Sequence, residues 1–177
     1  MRIVAGSARG RRIAAPPGLD TRPTTDRVRE ATFNALESLG AVRGATVIDL
    51  FAGSGALGLE ALSRGAAHVT FVERDAKARA VIHQNLETLA MAERAEVVAT
   101  DALAHLGRSG PADLLLCDPP YGFDRWADLL ATTTVPIVVC ESDQEVDPPP
   151  GWGLVRQKRY GATVVSILSR SSHEPPE

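Results

Sequence analysis

The chain has 177 residues, of which 44% are hydrophobic, 23% are charged and only 5% are aromatic, and its formal net charge is −3. This length suits one domain with a substantial core, and no apolar run approaches the roughly 20 residues that span a bilayer. The first residues lead straight into arginines rather than into a signal peptide. We therefore expect a soluble, cytoplasmic globular protein, and membrane and secreted classes are excluded.

The cysteines and histidines predict neither a disulfide nor a metal site. Cys117 and Cys140 fall inside apolar runs, where a buried core thiol is the commoner state. The four histidines show no metal-ligand spacing with each other or with the cysteines. We expect two free thiols in a reducing compartment and no bound metal.

The net charge hides an asymmetry between the start of the chain and the rest. Residues 1–30 hold seven arginines against three acidic residues, which gives +4 and leaves −7 for the remainder. Arginine pairs with phosphate through its planar fork, so a basic end on an acidic body suggests an arm that binds a polyanion. A solvated surface with a few salt bridges is the alternative, and charge alone favours neither.

The first forty residues predict a small hairpin and a helix. Residues 1–15 alternate loosely around Gly6 and Gly10, which indicates a hairpin with an arginine-bearing face that ends at residues 16–18 (PPG). Residues 24–26 (TTD) supply an N-cap, and apolar residues then recur at helical spacing until Gly40. We expect this helix to pack on the main domain.

From residue 45 the chain alternates between strand-like and helical patterns. Strands are predicted over residues 46–51, 68–73, 95–100, 112–118 and 136–141, with helical segments between them. Near-continuous apolar strands joined by helices indicate a parallel sheet covered on both faces, which is a doubly wound α/β fold. Residues 154–160 and 162–169 predict a terminal hairpin. The domains are thus an N-terminal arm (residues 1–20), a main domain (21–170) and a tail (171–177) that we expect to be disordered.

A glycine turn follows the first predicted strand and opens a helix. Glycine permits positive φ and close approach of a ligand, while the helix directs its N-terminal amides and positive dipole end at that ligand. The spacing Gly53-x-Gly55-x-x-Gly58 matches the dinucleotide fingerprint, and Glu73 stands 18 residues after Gly55. Taken alone, the turn favours NAD, and the alternative is a turn that needs its glycines only for packing.

Carboxylates lie in or near the ends of the first four predicted strands, at Asp49, Glu73, Asp101 and Asp118. In an open α/β sheet the ligand crevice lies outside the carboxyl ends of the strands, so these groups should converge on one rim. Glu73 can accept the two hydroxyls of a ribose, and Asp101 can accept an adenine amino group. Each acid could instead cap the helix that follows it.

The residues Asp118-Pro119-Pro120-Tyr121 predict the chemistry. Two consecutive prolines fix φ and donate no hydrogen bond, so this rim presents acceptors. An exocyclic amine that donates to the Asp118 side chain and the Pro119 carbonyl would bend out of the ring plane and free its lone pair for attack. Tyr121 and Phe123 could stack on a base taken out of its helix. A proline-rich turn that merely closes a strand is the alternative.

The segments 49–55 (DLFAGSG) and 118–121 (DPPY) resemble the S-adenosylmethionine-dependent amino-methyltransferases, whose seven-stranded sheet has a reversed last strand. More closely, residues 1–6 (MRIVAG), 9–11 (RGR) and 22–30 (RPTTDRVRE) resemble the RsmD-type small-subunit ribosomal RNA guanine-N2 methyltransferases. The resemblance continues to residues 160–161. It implies a Rossmann-like methyltransferase sheet with an antiparallel last strand, and a monomer that methylates the 2-amino group of one guanine of 16S ribosomal RNA in an assembling 30S particle.

The resemblance also assigns residues to roles. The implied catalytic residues are Asp118, Pro119, Pro120 and Tyr121. The residues implied to bind S-adenosylmethionine are Asp49, Phe51, Ala52, Gly53, Ser54, Gly55, Glu73, Arg74, Asp101, Ala102 and Asp118. The residues implied to bind RNA are Arg9, Arg11, Arg12, Arg22, Thr24, Arg27, Tyr121 and Phe123. Gly58 should then serve helix packing instead of phosphate approach.

Three alternatives remain open on the sequence. An NAD-dependent oxidoreductase fits the glycine spacing, but no histidine or lysine stands at a predicted strand end to assist hydride transfer. A non-catalytic RNA-binding factor would keep the fold without transferring a methyl group. A methyltransferase acting on DNA adenine or a protein glutamine would use the same rim, because that rim suits any planar amine.

Overall fold

The structure is a computed structural model and describes residues 1–16 and 26–171. Within these residues the helices are α1 (Asp26–Ser38), α2 (Ala56–Ser63), α3 (Ala76–Thr88), a short 3-10 helix (Ala92–Arg94), α4 (Ala102–Leu106) and α5 (Trp126–Thr132). The strands are β1 (Thr46–Leu50), β2 (His68–Val72), β3 (Ala95–Val98), β4 (Leu114–Cys117), β5 (Ile137–Ser142), β6 (Trp152–Tyr160) and β7 (Thr163–Arg170).

The seven strands form one sheet in the order β3-β2-β1-β4-β5-β7-β6. Strands β1 to β5 are mutually parallel, whereas β7 runs antiparallel to both β5 and β6. The doubly wound α/β fold with a reversed last strand is therefore confirmed. Because β6 runs in the same direction as β1 to β5, its carboxyl end lies on the same rim of the sheet as theirs.

The first four predicted strands each end one or two residues later than the observed strands, and two of these differences shape the rim. The prediction continued β1 to Phe51, but Phe51 has a φ of +59° and cannot continue an extended strand. The prediction continued β3 to residue 100, but the strand ends at Val98 and the chain then turns toward Asp101, which caps α4. In both places the chain leaves the sheet to build the rim.

Helices cover both faces of the sheet. One apolar cluster joins α1, α2 and α3 to one face, and a second cluster joins α4 and α5 to the other. Alternate residues of β4 divide between them, with Leu114 and Leu116 in the first cluster and Leu115 and Cys117 in the second. Both cysteines are free and fully buried. Burial raises the pKa of each thiol above its usual range, as expected for core residues.

The described part of the N-terminal arm, residues 1–16, is a short antiparallel hairpin packed on the helices. Arg2 and Arg12 are bridge partners, and the Ile3 amide donates to the Arg11 carbonyl at 3.0 Å. The apolar side chains of the hairpin are buried, namely Ile3, Ala8 and Ile13. Its arginine side chains are exposed, namely Arg2, Arg9, Arg11 and Arg12. The hairpin thus has the arginine-bearing outer face that the sequence predicts.

A buried carboxylate on α2 joins the arm to the domain. Glu60 accepts the amides of Val4 at 2.9 Å and Ala5 at 3.0 Å. It also pairs with Arg29 of α1 at 3.4 Å and with Arg64 at 2.8 Å, and these three side chains are at most 1% exposed. One ionised side chain therefore holds the arm, α1 and the end of α2 together.

Some predictions concern residues outside the described ranges. These are the helix cap at residues 24 and 25, the assignment of Arg22 and Thr24 to RNA binding, and the tail from residue 172 onward. Among the described residues, no helix is both long and apolar enough to cross a membrane.

Candidate functional site

The glycine turn, residues 51–55, joins β1 to α2 through left-handed backbone. The φ angles are +59° at Phe51, +56° at Gly53 and +80° at Gly55, which is the N-cap of α2. Glycine adopts these angles without penalty, whereas a left-handed Phe51 costs about 1–2 kcal/mol. The Gly55 amide donates to the Ala52 carbonyl at 2.7 Å and closes the turn. Strain of this kind is concentrated at ligand sites, which makes the turn a candidate for one.

The third glycine of the motif faces the sheet. A Cβ built on Gly58 would lie 2.8 Å from Phe71 Cζ and 2.9 Å from Val69 Cγ1, both on β2. Real side chains do not tolerate such contacts, so α2 can pack this closely on β2 only with glycine here. The position agrees with a packing role for Gly58.

Asp49 supports the turn from inside the protein. Its side chain is buried at the end of β1, and Oδ2 accepts the Gly58 amide at 2.9 Å. Burial raises the pKa of Asp49 well above its usual range, and the negative charges of Asp118 and Glu73 raise it further, against the opposing effect of the Gly58 hydrogen bond. Unlike the other three acids, Asp49 lies beneath the rim rather than on its surface.

Glu73 binds the glycine turn directly. Its Oε2 accepts the Gly53 amide at 2.9 Å and its Oε1 accepts the Asp75 amide at 2.8 Å. The carboxylate is half-buried and lies beside the turn, whereas the neighbouring Arg74 is exposed. A pyrophosphate placed on this turn would meet a carboxylate where the dinucleotide motif requires a free amide.

Asp101 is exposed and caps α4. Its Oδ1 accepts the amides of Leu103 at 3.0 Å and Ala104 at 3.2 Å, so the capping role anticipated for this acid is present. Ala102, the first residue of α4, is buried. A contact of Asp101 and Ala102 with an adenine ring stays a prediction.

The acid-proline-proline-aromatic segment leaves the sheet at the carboxyl end of β4. Asp118 is half-buried, Pro119 is buried and Pro120 is exposed. The Pro120 carbonyl accepts the Phe123 amide at 3.3 Å, which bends the chain back over the rim. Tyr121 is 60% exposed, a large value for an aromatic residue, and its ring is accessible to a planar ligand.

Phe123 has a different environment from Tyr121. Its ring packs edge-on against Phe51 at 5.4 Å and against Trp126 at 5.0 Å between centroids. These contacts hold the loop after β4 against the glycine turn. Of the two aromatic residues assigned to base stacking, Tyr121 therefore has the more accessible ring, and stacking by Phe123 stays a prediction.

The charge of the rim discriminates between NAD and S-adenosylmethionine as the cofactor. Asp49, Glu73 and Asp118 are close enough for the latter two to raise the pKa of the first. A rim with the Glu73 and Asp118 carboxylates disfavours the pyrophosphate of NAD and favours a ligand with positive charge. S-adenosylmethionine carries positive charges on its sulfonium and ammonium groups, so the residues present fit that cofactor.

The structure divides the predicted RNA-binding arginines into two groups. Arg9 and Arg11 lie toward the far end of α2 and α3, because Ser7 bonds the carbonyl of Ser63 and Arg11 bonds that of Thr88. A helix the length of α2 places this end about 10 Å from the glycine turn. Arg27 instead lies in the first turn of α1, where it lines a cleft with residues 158–161.

Asn85 is a site residue that the sequence reasoning missed. It is buried in α3, and its amide nitrogen donates to the Ser54 carbonyl and the Ala14 carbonyl, each at 3.0 Å. Its Oδ1 accepts the Ala14 amide at 2.8 Å. One side chain thus joins the arm to the glycine turn. A detectable signal existed, since Asn85 is a polar residue on the same helix face as the buried Ile82 and Leu86.

No group of three histidine, cysteine, aspartate or glutamate side chains that could hold a metal ion occurs in the described parts of the chain.

Comparison with known proteins gives the same fold and a single family. A family model described as "Conserved hypothetical protein 95" matches residues 1–169. The chain is 37% identical over 183 residues to Ribosomal RNA small subunit methyltransferase D of Escherichia coli (strain K12), with 97% of this chain and 91% of the relative covered. It is 38% identical over 184 residues to "Putative rRNA methyltransferase YlbH" of Bacillus subtilis (strain 168), with 96% and 99% covered.

A solved structure agrees with these relatives. "Putative methyltransferase yhhF" from Escherichia coli has a TM-score of 0.85 to this chain at 36% sequence identity, and the match covers 98% of this chain and 99% of that one. The family match includes both the arm and the terminal hairpin, so it does not rest on the glycine turn alone. The chain therefore belongs to the Conserved hypothetical protein 95 family, the RsmD-type methyltransferases that its sequence motifs resemble.

Proposed function

We propose that this protein transfers a methyl group from S-adenosylmethionine to the exocyclic N2 of one guanine of 16S ribosomal RNA, within an assembling 30S particle. The observation that carries the proposal is the rim itself. The half-buried Asp118 begins a stiff proline segment beside a glycine turn that is surrounded by carboxylates. Family membership adds that relatives of similar length are named as ribosomal RNA methyltransferases.

The residues that would hold the cofactor surround the glycine turn. Gly53 and Gly55 let the ligand approach the backbone, Glu73 would accept the ribose hydroxyls, and Asp101 would lie near the adenine. When bound, S-adenosylmethionine would supply an electrophilic methyl group and leave as S-adenosylhomocysteine, and the proton that N2 loses would pass to solvent.

Asp118 and its neighbours would act on the acceptor. The Asp118 carboxylate and the Pro119 carbonyl would accept hydrogen bonds from the two N2–H groups and orient the nitrogen lone pair toward the methyl carbon. Both oxygens favour the positive charge that develops on nitrogen during transfer. Tyr121, which is exposed, would stack on the flipped base. Positioning and electrostatics suffice for this reaction, so no covalent enzyme intermediate is needed.

Observations disfavour two of the three alternatives, and an activity measurement distinguishes the third. NAD is disfavoured because Glu73 already accepts the Gly53 amide and because carboxylates surround the turn. DNA adenine or a glutamine amide would also fit the rim, but the relatives at 38% and 37% identity are named for ribosomal RNA. A non-catalytic RNA-binding factor is distinguished by activity alone.

The proposal is tested by methyl transfer from labelled S-adenosylmethionine to 30S particles from cells that lack this protein. Mass mapping of the RNA from those cells identifies the modified nucleotide. Asp118→Asn and Asp118→Ala should lower the rate at least 100-fold, while cofactor affinity from calorimetry changes less. Asp124→Asn is the matched control, because Asp124 is an exposed acid in the same segment. An active Asp118→Ala enzyme would contradict the proposal, and label on an amine other than guanine N2 would replace it.

A further inference from the structure

The terminal hairpin is positively charged, and the proposed function gives this charge no role. Residues 152–170 contain Arg156, Lys158, Arg159 and Arg170 and no acidic residue, although the whole chain has a net charge of −3. Residues 1–30 carry +4, so the remaining residues carry −11. Two basic regions, the arm and the terminal hairpin, thus stand out from an otherwise strongly acidic chain. The charge asymmetry of the sequence indicates only the arm.

The second basic surface is a cleft between the start of α1 and the hairpin, here called the β6 cleft. It has a volume of about 560 Å³ and is lined by Arg27, Val28, Lys158, Arg159, Tyr160, Gly161 and Thr163. Arg27, Lys158 and Arg159 are exposed, and none of them forms an ion pair with a carboxylate of the described residues. Lys158 Nζ lies 5.3 Å from the centroid of the Tyr160 ring. The cleft therefore offers cations beside an aromatic ring.

Strand register places this cleft on the catalytic rim. Cys117 pairs with Cys140, Cys140 with Ser166, and Ser166 with Gln157. Asp118 follows Cys117 at the end of β4, and Lys158 follows Gln157 on β6. These two residues therefore occupy equivalent positions on strands that are separated by three strand spacings. Strands are spaced by about 4.8 Å, which puts Lys158 about 14 Å along the rim from Asp118.

The arm offers a less direct approach to Asp118. Arg9 and Arg11 lie near the ends of α2 and α3 that point away from the rim, and Arg11 bonds the Thr88 carbonyl. RNA bound only there would have to extend around the helices to reach Asp118. RNA that crosses the β6 cleft would lie on the rim itself.

We propose that the β6 cleft binds phosphates of the RNA strand that flanks the target base, a role that rests on the proposed function. Arg27, Lys158 and Arg159 would contact the phosphates, and the Tyr160 ring would contact a base or ribose. The cleft thus fixes the direction in which the RNA leaves Asp118. This surface deepens the RNA assignment, because Arg9 and Arg11 of the arm lie away from the rim.

A competing explanation is that the charges only protect an edge strand. β6 lies at the edge of the sheet, and exposed lysines and arginines commonly prevent edge-to-edge association. Edge protection does not require a cation on α1, nor a cleft enclosed by both elements. It predicts that neutral variants would aggregate without a specific loss of RNA affinity.

The test compares two variants that each remove three positive charges. Arg27→Gln/Lys158→Gln/Arg159→Gln removes charge from the cleft, and Arg43→Gln/Arg94→Gln/Arg108→Gln removes it from segments that precede β1, β3 and β4, at the amino ends of the parallel strands. Each phosphate contact to a single strand contributes about 0.7 to the slope of log affinity against log salt. Loss of three contacts should lower that slope by about 2 and weaken RNA binding roughly 100-fold at 0.1 M salt. Circular dichroism and cofactor calorimetry establish that both variants are folded.

Arg94 donates to two backbone carbonyls, so its substitution could impair folding. If a triple variant does not fold, a second matched pair is available, namely Lys158→Gln/Arg159→Gln in the cleft and Arg43→Gln/Arg108→Gln as its control. A larger loss of affinity and slope in the cleft variant supports the proposal. Equal losses, unchanged binding, or aggregation without loss of affinity would overturn it. Wild-type protein that binds RNA through the cleft but transfers no methyl group would refute the proposed function alone.

Discussion

Replacing Gly58 by alanine tests how the glycine turn is built. The new Cβ would lie 2.8 Å from Phe71 Cζ and 2.9 Å from Val69 Cγ1, and the Phe71 side chain is fully buried. Since ring and strand are enclosed by the core, relief requires α2 to move away from β2. That movement would also displace the Gly58 amide from Asp49, which now accepts it at 2.9 Å.

The expected loss of stability follows from one stabilising and two destabilising contributions. Alanine inside a helix is favoured over glycine by about 1 kcal/mol. Overpacking of a rigid core costs about 1–3 kcal/mol, and the loss of the Asp49 hydrogen bond adds about 1–2 kcal/mol. We expect the free energy of unfolding of Gly58→Ala to fall by about 2 kcal/mol. For a chain of this size this corresponds to a decrease in Tm of roughly 4–8 °C.

Urea and thermal unfolding measure this loss, with Gly107→Ala as the control. Gly107 ends α4 with a φ of −67°, and the nearest atom to an added Cβ is 3.9 Å away. This variant should keep the wild-type Tm. Phe71→Leu replaces the ring by a smaller side chain. In that background Gly58→Ala should lower the free energy of unfolding by less than it does in the wild type, which is a favourable coupling between the two sites. An unchanged Tm for Gly58→Ala, or the absence of this coupling, would refute the packing argument.

Three further variants test contacts around the arm and the turn. Glu60→Gln should lower the free energy of unfolding by about 3–5 kcal/mol in urea titrations, because it leaves two buried arginines without their carboxylate. Glu37→Gln, the control at the exposed end of the same network, should lower it by less than about 1 kcal/mol. Asn85→Ala should raise the KM for S-adenosylmethionine and lower Tm, because the Ser54 carbonyl loses its donor; an unchanged KM would argue against the link to the turn. The raised pKa of Asp49 means that its stabilising contribution is complete below pH 4 and is lost as pH rises through the folded pKa. Stability measured against pH should therefore fall more steeply for the wild type than for Asp49→Asn, and parallel profiles would contradict this.

The fold could be predicted because its signals are local. Each strand and helix carries its own apolar pattern, and the alternation of the two gave the doubly wound sheet before any contact was known. The start of β2 at His68 was predicted as observed. The end of β1 was not, because nothing in the residue type of Phe51 indicates a φ of +59°. Left-handed backbone at a non-glycine residue is imposed by the surrounding structure rather than by the residue itself.

Contacts between distant residues were the part that the sequence did not reveal. Glu60 binds amides 55 and 56 residues earlier in the chain, and Asn85 binds Ala14 across 71 residues. A buried polar residue on an apolar helix face is a warning of such a contact but does not identify its partner. The basic charge of β6 was visible in the sequence, yet its place on the rim follows only from the register of three strand pairs.

The choice between a dinucleotide and S-adenosylmethionine shows why side-chain direction matters more than spacing. The glycine spacing and the distance to Glu73 suit both ligands, since each needs a ribose acceptor after the second strand. The structure adds that Glu73 points back to the Gly53 amide at 2.9 Å. That contact puts the Glu73 carboxylate where a pyrophosphate would bind, and the Asp118 carboxylate is near enough to raise the pKa of Asp49 beneath the same turn. The same carboxylate would stabilise a cationic ligand. Glu73 therefore matches the NAD fingerprint by its position in the sequence but disfavours NAD by its position in the structure.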